Sequence, residues 1–120
     1  MSLHFYNSLD FADKFRDLVT DQAEWSQATF GNDLERGPMG ALKHLEKEAR
    51  ECQAAIANPE NLREEMADCF LLLLDACRRA GIKPMQLVEA AQEKMTINKR
   101  RTWPKPTDDE PVEHVKGTSL

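Results

Sequence analysis

This 120-residue chain has little of several things, and each shortage removes a class of protein. It has five glycines, and none forms a glycine-rich loop that could cradle phosphates, so a P-loop or dinucleotide-binding fold is excluded. No stretch alternates apolar and polar residues, which leaves an all-α reading. The cysteines are Cys52, Cys69 and Cys77, an odd number without a Cys-x-x-Cys pair. All three fall at apolar helical positions, so buried free thiols and a reducing, cytoplasmic setting are expected. No apolar run is long enough to cross a bilayer, so no membrane partner is expected. His4, Asp10, Asp13 and Lys14 break up the start of the chain, so no secretory signal is expected either. Positive charge is also short: 16 Lys and Arg stand against 21 Asp and Glu, a net charge of −5. A nucleic-acid polymer is therefore not an expected partner.

Acid is what the chain does have, in a pattern. Glu48-Ala49-Arg50-Glu51 is followed, after a spacer, by Glu65-Met66-Ala67-Asp68. Each half is an acid pair at i and i+3, on one side of a helix and about a turn apart. Two such helices side by side would gather Glu48, Glu51, Glu65 and Asp68. At 4 Å and an effective dielectric near 20, each carboxylate pair repels by roughly 4 kcal/mol. Such a cluster needs a cation within it, raised pKa values, or side chains splayed into water. Hard oxygen ligands on rigid helices favour Mg²⁺ or Mn²⁺ over zinc.

The remaining pattern predicts four helices. Ser8 can cap the first, along which Phe11, Phe15, Leu18, Gln22 and Trp25 form one stripe. Gly31 stops it, and a long loop follows through Arg36-Gly37-Pro38. The second helix starts near Pro38, has Leu42, Leu45, Ala49, Cys52 and Ile56 as its core stripe, and ends at Asn58-Pro59. His44, Glu48, Glu51 and Ala55 form a separate flank of it. Asn61 and Glu64 read as a capping box opening the third helix. That helix is apolar all round at Phe70 to Leu74, which predicts the buried centre, yet Glu65, Asp68, Leu72, Asp75 and Arg79 share one side of it. Gly81 ends it and Pro84 opens the fourth, with Leu87, Val88, Ala91 and Met95 facing inward and Lys94, Asn98 and Arg101 forming a cationic and amide stripe. Trp103-Pro104 stops this helix. The expected organisation is one helical domain over residues 1–103 and an irregular, proline-rich, acidic tail over 104–120.

Either acid pair alone is ordinarily a solvated helix face. Both together, one of them on an apolar helix, point to a metal site. Metal carboxylates with nearby cations suit a polyphosphate, because metal and cations share its charge. Trp25 and Phe30 fit a core role or a base-stacking platform. His44, one turn before Glu48, reads as a structural residue or a support for the acids ahead of a metal ligand.

Taken together, Glu-x-x-Glu, a spacer and Glu-x-x-Asp resemble the MazG-like, all-α nucleoside triphosphate pyrophosphohydrolases. Trp25, Thr29-Phe30-Gly31, Arg36-Gly37-Pro38, His44-Leu45, Lys94, Asn98, Arg101 and Trp103-Pro104 narrow the resemblance to the phage and bacterial branch associated with dATP/dGTP hydrolysis. Many members carry a Glu directly before the first metal-binding Glu; Lys47 stands there in this chain. The resemblance implies a four-helix MazG-like bundle that is a homodimer or homotetramer. It implies Mg²⁺, or Mn²⁺, held by Glu48, Glu51, Glu65 and Asp68, with Glu51 and Glu48 as catalytic carboxylates. It implies a nucleotide bound by Lys94, Asn98 and Arg101 at its phosphates and sugar and by Trp25, Phe30, Arg36 and His44 elsewhere. Gln22, Asn32, Asp33 and Arg36 are the candidate hydrogen-bonding groups for the base edge. A non-catalytic, metal-stabilised helical interaction protein is the alternative. It would keep the acids but would not need Lys94, Asn98 and Arg101.

Overall fold

A proline and an asparagine set the start of the helix that carries the second acid pair. Pro59 pushes the residue before it out of the α region, and Asn58 is extended, at φ −124° and ψ 97°. From there the Asn58 side chain accepts the Asn61 backbone N–H at 3.4 Å, and Pro59 takes the first helical position. The cap therefore lies three residues upstream of the capping box expected at Asn61. In this computed structural model, which describes residues 8–117, the helices are α1 (Ser8–Phe30), α2 (Met39–Ala54), α3 (Pro59–Arg79) and α4 (Pro84–Arg100). No strand occurs among the described residues, so the protein is all-α. The capping role expected of the Ser8 side chain, the lead-in at 1–7 and the last three residues lie outside the described residues.

Glycines end two helices at positions that need a left-handed backbone. Gly31, at φ +102°, closes α1 and donates to Gln27 O at 3.1 Å. Gly81, at φ +79°, closes α3, and Ile82 N–H reaches back to Cys77 O at 2.8 Å. α2 stops earlier than its flanking proline suggests. Ala55 N–H bonds both Glu51 O and Cys52 O, the turn tightens, and Ile56 is left 67 % exposed instead of in the core. Leu42, expected on the same core stripe, is also exposed.

The chain forms two compact units, residues 1–84 and 85–120. In the first, α3 packs against α2 and α1. Among the described residues the buried apolar side chains are only Ala41, Leu74 and Ala76, and Gln22, Ser26, Glu48, Asp75 and Arg79 are buried with them. The expected apolar centre of α3 is thus only partly closed: Leu74 is buried and Leu71 and Leu72 half-buried, but Phe70 and Leu73 are exposed, as are Met66 earlier on α3 and Phe11 and Leu18 of α1. Phe15 does reach α3, its ring centroid 6.4 Å from that of Phe70. In the second unit α4 buries no residue, and Val88 and Met95 are exposed instead of inward. The segment after α4 doubles back. Trp103 donates its indole N–H to Asn98 O at 2.8 Å, sets its ring edge-on to His114, and Val115 N–H bonds Thr102 O. No helix is long and apolar enough to cross a membrane among the described residues.

Candidate active site

α2 and α3 are joined by a short turn, so the two acid pairs run past each other on neighbouring helices. Glu48, Glu65 and Asp68 each offer an oxygen to a group whose atoms all lie within 4.8 Å of one another. Glu51 lies outside this tight trio, but its carboxylate acts on both Glu48 and Glu65. His44 stands one turn before Glu48, with Nε2 3.2 Å from Glu48 Oε1.

The acids respond as a repelling set should. Glu65 is pushed up to about 7, first by the hydrogen bond it shares with Glu48, then by burial and by repulsion from Glu48 and Glu51. Glu48 is held below the ordinary carboxylate range by hydrogen bonding with Glu51 and Glu65, against its burial, with help from His44. One proton near neutral pH therefore belongs to the pair rather than to either residue. With both ionised, neither can donate, and Glu48 Oε2 and Glu65 Oε2 are buried without any hydrogen-bond partner. Two buried, unpaired carboxylate oxygens beside a third carboxylate match the hard, all-oxygen donor set of Mg²⁺ or Mn²⁺. These residues fit such an ion.

A cavity of about 230 Å³ opens one turn further along both helices. His44, four before Glu48, and Leu72, four after Asp68, line it, together with Phe30, Arg36 and Asp75. Trp25 does not line this cavity. It packs its ring edge-to-face against Phe30 at 5.3 Å, and both rings are substantially exposed, which is not a core position. Arg36 donates to Phe30 O at 3.4 Å and lies across Gly40, where a Cβ would meet its guanidinium at 2.7 Å. The glycine gives the arginine room to reach the cavity.

The loop that carries Arg36 is tightly built. Asn32 Oδ1 accepts the N–H groups of Leu34 and Glu35, and Glu35 Oε1 accepts the Asn32 N–H in return, a reciprocal cap around one turn. Beneath it lies a buried polar network. Asp75 accepts from Gln22 Nε2 at 2.9 Å, Arg78 Nη2 at 2.6 Å and Arg79 Nε at 3.0 Å. Arg78 also donates to both oxygens of Asp33, at 3.0 and 3.2 Å, and to Gln22 Oε1 at 2.6 Å. Burial alone would raise the Asp75 pKa. Its bonds with Ser26, Gln22, Arg78 and Arg79 outweigh that and hold it well below the ordinary range. Asp75 therefore belongs to this network and not to the acid trio, although the two share a helix side. Gln22 and Asp33, candidates for the base edge, are occupied by these bonds, Asn32 Oδ1 is taken by N–H groups of its own loop, and of that set Arg36 lines the cavity. The signal that could have exposed the network is Asp75 with Arg78 and Arg79 at i+3 and i+4, opposite Gln22 and Ser26, themselves spaced i, i+4.

Lys94 and Asn98 lie on α4, and Arg101 directly follows it, all in the second unit. Cys52 and Cys69 place their sulfurs 3.6 Å apart, and both are free and half-buried, less enclosed than expected. Burial, followed by Cys52, pushes the Cys69 thiol up to about 11.

The chain matches the dATP/dGTP pyrophosphohydrolase family over residues 18–119. The Eaa protein of Salmonella phage P22 is 48 % identical over 96 residues, which is 80 % of this chain but 28 % of that protein, so this chain spans little more than a quarter of that relative. A solved cyanophage S-2L MazG-like pyrophosphohydrolase, bound to dGDP and three catalytic Mn²⁺ ions per active site, superimposes with a TM-score of 0.63 at 27 % identity, covering 83 % of this chain and 95 % of that one. With an all-α fold, facing acid pairs and a match over most of its length, this chain belongs to the dATP/dGTP pyrophosphohydrolase family of MazG-like nucleoside triphosphate pyrophosphohydrolases.

Proposed function

We propose that this protein hydrolyses dATP and dGTP to the nucleoside monophosphate and pyrophosphate with Mg²⁺ or Mn²⁺. The observation that carries this reading is the pair of buried, unpartnered oxygens on Glu48 and Glu65, beside Asp68 and one turn from a cavity. Glu48, Glu51, Glu65 and Asp68 would hold the metal. Divalent ions bound there supply Lewis-acid charge neutralisation and lower the pKa of water. Water attacks the α-phosphorus, the α–β anhydride bond breaks, and pyrophosphate leaves with the electron pair. Glu51, outside the tight trio, accepts the proton of the attacking water, and Glu48 fixes its direction of approach. Lys94 and Arg101 neutralise the phosphates, and Asn98 contacts phosphate or sugar. Phe30, backed by Trp25, stacks on the base, while Arg36 and His44 border the nucleoside.

Residues 1–103 form the hydrolase domain and 104–120 its tail. The open apolar side chains Met66, Phe70 and Leu73 suit burial against further copies, giving a homodimer or homotetramer. The free cysteines suit a reducing cytoplasm. The cyanophage relative, with dGDP and Mn²⁺ in its active site, supports both the purine and the metal. The test is pyrophosphate release from the four dNTPs with Mg²⁺ or Mn²⁺. Release from dATP and dGTP above dCTP and dTTP is expected, and no release from any of them would refute the proposal.

A further inference from the structure

The Arg79 side chain is 3 % exposed and lines the cavity, yet it has no donor left for a ligand. A guanidinium carries five N–H donors in a fixed planar fork. Here Nε donates to Asp75 Oδ2 at 3.0 Å. Nη1 donates to Asn32 O and Arg36 O, each at 3.4 Å. Nη2 donates to Ser26 Oγ at 3.0 Å and Ser26 O at 3.5 Å. The five acceptors belong to α3, to the last part of α1, and to the first and last residues of the Asn32–Arg36 turn. Phe30 precedes that turn and Arg36 ends it, and both line the cavity.

We propose that Arg79 is a positioning residue for hydrolysis: it holds the Asn32 and Arg36 carbonyls, and so fixes the Phe30–Arg36 wall of the cavity where a nucleoside must fit. This rests on the functional reading above. A side chain with every donor engaged acts through the loop and not on the substrate. Lysine keeps the charge but has three donors around one point, and cannot span Ser26, Asn32 and Arg36 together. Arg78 grips the same turn from the side, through Asp33, so the loop keeps one anchor when Arg79 is changed.

The experiment is Arg79→Lys in the full chain, with KM and kcat measured for dATP and dGTP and with inhibition by inorganic pyrophosphate, which has no nucleoside. A displaced wall should raise both KM values by about tenfold or more while kcat stays within about threefold and pyrophosphate inhibition does not move. KM values equal to wild type overturn the inference. So does a fall in kcat alone, or a weakening of pyrophosphate inhibition in step with KM. Should Arg79→Lys fail to fold, Ser26→Ala, which removes only the 3.0 Å hydroxyl acceptor, decides it by the same split at smaller amplitude. An inactive wild-type protein would remove the functional reading and this inference together. An active wild type with unaltered Arg79→Lys kinetics removes the inference alone.

Discussion

Replacing Phe30 by alanine separates a stacking surface from a packing residue. Phe30 is 48 % exposed and meets Trp25, itself 58 % exposed, edge to face. About half of the phenylalanine side chain, roughly 90–100 Å², is therefore covered. At about 25 cal/mol per Å², its loss should cost at most about 2–2.5 kcal/mol of stability. A fully packed aromatic would cost about 3–5 kcal/mol. A base stacked on an aromatic face gains roughly 1–3 kcal/mol, and a purine offers more area than a pyrimidine. Phe30→Ala should therefore lower kcat/KM for dATP and dGTP by roughly 5- to 150-fold and for dCTP and dTTP by less, which narrows the purine–pyrimidine gap. Trp25→Ala should narrow it less, because Trp25 supports Phe30 from its edge. The assay is pyrophosphate release from all four dNTPs, with urea unfolding of each variant alongside. Equal depression of all four substrates with a stability loss above about 3 kcal/mol would return Phe30 to a packing role. A wild-type preference for pyrimidines would end the base proposal and leave the metal assignment standing.

Glu48→Gln and Asp68→Asn should each abolish turnover, while the melting temperature without metal holds or rises because repulsion among the acids is relieved; retained activity removes that residue from the site. Lys94→Ala and Arg101→Ala should weaken substrate use by about tenfold, on the order of 1.4 kcal/mol, and weaken binding of the monophosphate product less, as product-inhibition constants would reveal. Asp75 has a folded pKa below its unfolded value near 4, so its contribution is present above about pH 4 and is lost as the pH falls through the folded value. Asp75→Asn should thus cost about 3–5 kcal/mol at pH 7 and flatten the acid limb of a stability–pH curve below about pH 4; a limb as steep as wild type counts against the network.

The helix ends at Gly31 and Gly81 and the proline-led start of α4 could be read from sequence, because each depends on one residue's own backbone preference. The proximity of Glu48, Glu65 and Asp68 was also legible, since i, i+3 spacing on two antiparallel helices leaves few other arrangements. The cap at Asn58 is not legible in the same way, because Asn61 with Glu64 matches a capping motif equally well and only the geometry imposed by Pro59 separates them. Periodicity places Leu42 and Ile56 in the core, but it finds an apolar stripe and not where its partner helix stops. The Gln22–Asp75–Arg78–Asp33 network stayed hidden for a different reason. The bonds that tie Gln22 and Asp33 to α3 join residues 45 to 56 apart in sequence, and each side chain alone looks like an ordinary surface polar group.

A closed interior of Gln22, Ser26, Asp75 and Arg79 also fixes how α1 seats on α3. Greasy helix faces can slide by a turn and still find contact, because dispersion is nearly indifferent to register. Directional bonds cannot slide. A shift of α1 by one turn would strip Gln22 and Ser26 from Asp75, Arg78 and Arg79 at once, leaving two guanidiniums and a carboxylate short of partners in a dry space. The docking of these two helices is therefore close to all-or-none. It selects a single alignment by penalising every neighbouring one, a specificity that a larger apolar core would not by itself supply.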